Sequence, residues 1–188
     1  MVLSQYGHNS HGEDIKVHPY PFLGSRQEVE HVNRYDRDGY TPLLSFVRIA
    51  LAKQPPESEA FITSHITNLI TLGANVNSRS RNGDSALHWA AQQRLPEVME
   101  CLIRAGANIN ATNDSGQRPI DYISQALQLE LAGSATANIL GQTLKCAVVL
   151  LDHDAESNIS SQIEGSHGIR LEGRNGAKLT VARKASSS

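Results

Sequence analysis

The chain repeats itself with a 33-residue period, and that limits the fold more than any other feature. Leu72-Gly73-Ala74-Asn75-Val76-Asn77 returns as Ala105-Gly106-Ala107-Asn108-Ile109-Asn110, with Gly73 and Gly106 33 positions apart. Asn82-Gly83 returns at the same interval as Ser115-Gly116. Upstream, Val32-Asn33 and Asp38-Gly39 precede Val76-Asn77 and Asn82-Gly83 by 44 positions, one period plus eleven. A unit this short, with a turn and two apolar stretches, cannot bury a core alone and must stack on its neighbours. The predicted architecture is all-α: a solenoid of paired antiparallel helices joined by short turns.

Local signals agree with that period. Ser85 stands two positions after the Gly83 turn and just before a helical apolar pattern, where an N-cap belongs. Pro42 and Pro119 fall at first helical positions, where a missing N–H costs nothing. Ala90 and Ala91 are small enough for neighbouring helices to approach closely. Gly73 and Gly106 follow apolar runs, where a left-handed cap ends a helix.

The middle unit runs from Ser80-Arg81-Asn82-Gly83-Asp84-Ser85-Ala86-Leu87-His88-Trp89-Ala90-Ala91 to Leu102-Ile103-Arg104-Ala105-Gly106-Ala107-Asn108-Ile109-Asn110. It resembles an ankyrin repeat throughout. The first unit matches through Asp38-Gly39-Tyr40-Thr41-Pro42-Leu43 and Leu69-Ile70-Thr71-Leu72-Gly73-Ala74-Asn75. The third matches through Ser115-Gly116-Gln117-Arg118-Pro119-Ile120. The resemblance covers residues 33–158, as units 36–77, 80–110 and 113–158. The first unit holds 11 extra residues around Pro55-Pro56, and the third about 15 around Gly133-Ser134. Both insertions fall at the turn between paired helices and should project from one edge of the stack. In the third unit Asp154 stands for the capping Gly, Arg118 for Thr and Ile123 for a small Ala, as expected of a C-terminal capping repeat.

The flanks read differently. Residues 1–32 form a polar N-terminal arm, partly disordered, with a short cap near residues 25–33. Residues 159–188 form a flexible basic tail. Within it, alternating apolar residues around Asn175-Gly176 predict a small β-hairpin over 169–181. A lone hairpin is marginal in water, so this one must dock or bind something.

Composition limits the function classes. Lys plus Arg is 17, Asp plus Glu 19 and the net charge −2, which speaks against nucleic-acid binding. Cys101 and Cys146 sit in apolar stretches and read as core residues of a reducing compartment. No apolar run approaches a membrane span, and the N-terminus has no secretory pattern. The expected location is intracellular, cytoplasmic or nuclear, where the sequons at Asn113 and Asn158 carry no glycan. His8 and His11 have metal-like spacing, but no Cys or carboxylate pattern completes a site. No metal, cofactor or small-molecule substrate is expected.

Nucleotide-binding glycine loops, nucleophile elbows and paired-His metal helices are missing from the sequence. The ankyrin resemblance implies that His88 is structural, bonding the turns between units. It also implies a non-catalytic protein-interaction module that binds through its turn tips and concave inner-helix face. The variable positions there are Tyr35, Arg37, Tyr40 and Arg48 in the first unit and Arg79, Arg81, Asp84, Gln92 and Gln93 in the second. Thr112, Asp114, Gln117 and Gln125 follow in the third. Tyr and Arg are favoured at interfaces, and four arginines suggest a partner with an acidic surface. Trp89 reads as a framework residue, with a ligand anchor as the sharper option. The chain reads as an adaptor, inhibitor or scaffold. The alternative is a regulatory subunit of a larger complex, for which the long insertions are similar to those of some fungal cell-cycle transcription regulators. Arg81→Glu is expected to weaken binding without lowering stability.

Overall fold

The computed structural model describes residues 6–8, 14–16, 31–52, 58–132, 137–153 and 168–182. The described part of the stack holds three turn–helix–helix units. The turns at Asp36–Tyr40, Ser80–Asp84 and Asn113–Gln117 share one hydrogen-bond pattern. In each, the first N–H donates to the fifth carbonyl (2.9 Å in all three) and the glycine N–H donates to the first carbonyl (3.1, 3.0 and 2.9 Å). That closure puts the fourth residue in the left-handed region, and Gly39, Gly83 and Gly116 have φ of +82°, +76° and +74°. The first residue of each turn also closes it with its side chain. Asp36 accepts from Tyr40 N–H, Ser80 from Asp84 N–H and Asn113 from Gln117 N–H.

An inner helix follows each turn: α1 (Pro42–Ala52), α3 (Ala86–Gln92) and α5 (Pro119–Ala132). The outer helices are α2 (Glu59–Thr71), α4 (Pro96–Arg104) and α6 (Ala137–Asp152). Inner helices pack on inner helices and outer on outer, with α3 between α1 and α5 and α4 between α2 and α6. Leu43, Leu44, Ile62, Ile66, Leu87, Met99, Leu102, Ile120, Ile123, Leu127, Leu150 and Leu151 fill the continuous core between the rows. Ala90 and Ala91 are buried, as close helix approach requires. Cys146 lies fully in the core, where burial pushes its thiol up to about 12, whereas Cys101 is only half-buried; both are free thiols.

The first two outer helices end alike. Ala74 N–H bonds Leu69 O and Gly73 N–H bonds Ile70 O; Ala107 and Gly106 do the same to Leu102 and Ile103. This double closure needs a left-handed residue, and Gly73 and Gly106 supply it at φ +93° and +88°. An asparagine just upstream of each unit's turn ties the end of that unit down. Asn33 donates to Gly73 O (2.9 Å) and accepts from Asn75 N–H (2.6 Å). Asn77 donates to Gly106 O (3.0 Å) and accepts from Asn108 N–H (2.7 Å). Asn77→Ala removes two bonds between units and is expected to cost about 1–2 kcal/mol, read as a lower denaturant midpoint; an unchanged midpoint would show that water replaces the amide.

The extra residues of the first and third units partly lengthen helices. α5 and α6 have 14 and 16 residues against 7 and 9 for α3 and α4. The overhang of α5 reaches the α3–α4 turn, where Glu130 pairs with Arg94 at 3.0 Å and accepts from the Thr143 hydroxyl at 2.8 Å. Arg94 ends α3 at φ +59°, a left-handed position without a glycine. The insertion residues 53–57 and 133–136 lie outside the described residues.

Another tie between units runs from α2 to α4. Glu59 accepts the Glu97 N–H at 3.0 Å, at the exposed start of α4. Burial pushes the Glu59 carboxyl up and the Glu97 charge adds to this, only partly offset by the backbone bonds from Glu97 and Val98. The native state therefore takes up this proton before the unfolded chain does, and the contribution of Glu59 falls as pH rises through its raised pKa. Glu59→Gln is expected to flatten part of the decline in stability as pH rises above the ordinary carboxylate range. An unaltered pH profile in denaturant melts would contradict it.

The third unit ends differently. Asp154, expected at the capping position, lies outside the described residues, and α6 is capped from further along the chain. The strands Gly168–Glu172 and Lys178–Ala182 form an antiparallel hairpin, pairing Gly168 with Ala182 and Glu172 with Lys178. Its turn side chain Asn175 donates to Asp152 O at 3.0 Å, and Arg174 N–H donates to the Asp152 carboxylate at 2.8 Å. Leu179 and Val181 are buried against α5 and α6. A Cβ on Gly173 would stand 2.5 Å from Leu151 O, so only glycine lets the hairpin seat. The hairpin's need for a docking surface is thus met within the chain.

Nothing in the sequence pointed to the antiparallel pair Tyr6–His8 and Asp14–Lys16 within the N-terminal arm. The rest of that arm up to residue 30, including His11, and residues 154–167 and 183–188 of the C-terminal tail lie outside the described residues. Among the described residues no group of three His, Cys, Asp or Glu is arranged to hold a metal, and no helix is long and apolar enough to cross a membrane.

Candidate functional site

The turn tips and inner helices meet along one face of the stack, and the variable residues there behave in two ways. One group is spent on holding units together. Arg79 donates from Nε to Gly83 O at 3.0 Å and from its terminal nitrogen to Thr112 O, spanning the second and third turns. Asp114 N–H adds a bond to Asn82 O at 3.1 Å. Asp84 accepts from Asn113 Nδ2 at 2.8 Å and from the Tyr122 hydroxyl at 3.4 Å. Burial and then the Asp84 charge push the Tyr122 phenol up, which keeps it protonated as the donor. Gln117 contributes its carbonyl to His88.

His88 is the centre of this lattice. It is fully buried, with Nδ1 3.1 Å from Ser85 N–H and Nε2 3.1 Å from Gln117 O. The carbonyl at Nε2 requires the hydrogen there, so Nδ1 is the acceptor. Burial depresses the pKa of the ring, overcoming the opposing Gln117 bond and Asp84 charge. His88 bonds the turns between units, as the resemblance implied.

The other group is exposed. Tyr35 is 52% exposed, with its hydroxyl 3.4 Å from Arg79 N. Arg48, on α1, lies over the Tyr40 ring at 4.7 Å from its centroid. Tyr40 in turn meets Trp89 of α3, with centroids 5.7 Å apart and planes at 52°. The half-buried Trp89 is therefore part of an aromatic contact joining the first two units. Gln92 and Gln93 are exposed at the end of α3, and Gln125 is exposed on α5. Beside Tyr40, a cleft of ≈ 300 Å³ opens between the first two turns, lined by Asp38, Tyr40, Arg48, Ser80, Arg81 and Asn82.

Arg81 belongs to both groups. It borders the cleft, but it also donates to Arg37 O, and its stem lies where a Cβ on Gly39 would be. The expectation that Arg81→Glu spares stability is corrected accordingly: the substitution also cuts a bond between the first and second turns. Sequence reasoning missed Asn33 and Asn77, Glu59, and the cleft itself. The repeated Asn after Val32 and Val76 was the available signal for the asparagine ties.

The family model of the ankyrin repeat matches residues 82–114, the segment that holds His88 and the middle pair of helices. Over that segment the chain is an ankyrin repeat. Protein fem-1 homolog C of Mus musculus is 35% identical over 100 residues, which cover 51% of this chain and 16% of that protein. The Homo sapiens fem-1 homolog C is 37% identical over 87 residues, covering 45% and 14%. Protein fem-1 homolog A of Danio rerio is 32% identical over 124 residues, covering 61% and 18%. The chain spans less than a fifth of the length of these curated relatives. Ankyrin repeats are generally non-catalytic, and these findings support a protein-interaction module.

Proposed function

We infer that this ankyrin-repeat chain is a non-catalytic adaptor or scaffold that captures a protein partner on its turn-tip and inner-helix face, and that the partner presents an acidic surface there. One observation carries the reading: Arg48, Tyr40 and Trp89 pack together across the first two units beside a cleft bordered by Arg81. Aromatic and arginine side chains presented together are the composition of interface hot spots. Tyr35, Arg37, Gln92 and Gln93 are exposed and extend the same face. Arg79, Asp84, Asp114 and Gln117 support it through the turn lattice and form the rim of the contact.

The reading is tested by affinity capture with the full chain, comparing wild type, Arg48→Glu and the outer-helix control Glu100→Lys. Arg48→Glu is expected to reduce capture of the specific partner at least tenfold, about 1.4 kcal/mol, while Glu100→Lys leaves it intact. Equal capture by Arg48→Glu and wild type would overturn the proposed face.

A further inference from the structure

We propose that the cleft between the first two turns is a discrete subsite for a single carboxylate, the side chain of one Asp or Glu in a partner segment. The inference rests on the interaction face proposed above and gives it a chemistry. The cleft measures ≈ 300 Å³ and is lined by two arginines, one tyrosine, one carboxylate and two small polar residues. That size suits one side chain and its flanking backbone rather than a broad surface.

The two cations approach from different elements. Arg48 comes from α1 and Arg81 from the second turn, so the first two units both contribute to the site. Among the described residues neither is ion-paired with a carboxylate. Arg48 is held over the Tyr40 ring, which orients its planar guanidinium without neutralising it. Arg81 is held by its bond to Arg37 O, which leaves further N–H donors of the guanidinium unspent. Two pre-positioned guanidinium groups recognise a carboxylate by paired, charge-assisted hydrogen bonds. Tyr40 supplies an aromatic wall for the stem of the acidic residue.

Asp38 sets a limit on the sequence recognised. Asp38 lines the same cleft, so its negative charge disfavours a second acid beside the first and favours a neutral or basic neighbour. The site therefore selects an isolated acidic residue over an acidic run.

The test begins with random nonapeptides displayed on phage and selected on the full chain. Synthetic copies of the selected peptides are then titrated by intrinsic fluorescence. Trp89 is the one tryptophan of the chain and touches Tyr40, so occupancy of the cleft is read directly. Selected peptides are expected to carry one Asp or Glu, and its replacement by the amide should weaken binding about tenfold or more. The same replacement should have a smaller effect on Arg48→Gln or Arg81→Gln, because one of the two guanidinium groups that meet the carboxylate is already gone; thermal melts establish that both variants are folded. Peptides that protect residues 35–48 and 79–93 from hydrogen exchange but tolerate the amide would overturn the carboxylate subsite and leave the interaction face standing. Peptides that protect only the outer helices, or a failure to select any, would overturn both.

Discussion

His88→Ala is expected to destabilise the chain by about 3–4 kcal/mol, a large share of the ~5–15 kcal/mol that holds a typical domain together. The imidazole is fully buried and satisfies both Ser85 N–H and Gln117 O. Alanine orphans the Ser85 N–H, takes one of two hydrogen bonds from Gln117 O and leaves a cavity between α3 and the third turn. Because Gln117 closes that turn through its bond from Asn113, the loss spreads into the third unit. The same residue fixes a pH response. Burial holds its pKa below 6.5, so acidification protonates the unfolded chain first. Stability from His88 is complete above pH 6.5 and is lost as pH falls through the depressed native value. Denaturant melts at neutral and mildly acidic pH should show this loss in wild type and less of it in His88→Ala. A variant as stable as wild type at neutral pH would mean that the ring does not link the turns.

The second large effect separates two glycines with nearly the same backbone. Gly83 and Gly116 have φ of +76° and +74°. A Cβ on Gly83 would lie 2.5 Å from Asp114 Oδ1 and 2.8 Å from Asp114 N, whereas one on Gly116 meets nothing within 4 Å. Gly116→Ala carries only the left-handed penalty, about 1 kcal/mol. Gly83→Ala adds a collision with backbone and is expected to cost about 2–3 kcal/mol, because the third turn must move off the second and give up the Asp114 N–H to Asn82 O bond. Equal melting temperatures for the two variants would show that adjacent turns are not in close contact.

These contrasts mark how far the fold was legible in the sequence. The 33-residue period, the Gly-ended helices and the prolines at first helical positions follow from local backbone chemistry, which a single sequence carries openly. His88 was legible through the family resemblance. The ties between units were not, because they join positions 31 to 44 residues apart: Asn33 with Asn75, Asn77 with Asn108, Arg81 with Arg37. Arg79 and Arg81 show the consequence. A turn-tip arginine reads as an exposed cation, and only the neighbouring turn reveals that some of its donors are already used. Arg94 in a left-handed conformation has no sequence signal at all. It depends on Glu130 from an overhang of α5 whose extent the insertion length alone did not determine. The C-terminal hairpin was visible from its alternation, but its work as the cap of α6 needed Asp152 and Gly173 to be placed.

The most direct test of the interaction face is hydrogen exchange on the full chain, alone and in complex with the protein it captures. Added protection is expected over residues 35–48 and 79–93, the first two turns and their inner helices, with α2, α4 and α6 unchanged. Protection confined to the outer helices or to the hairpin over residues 168–182 would contradict it and move the interface to the opposite side or to the end of the stack.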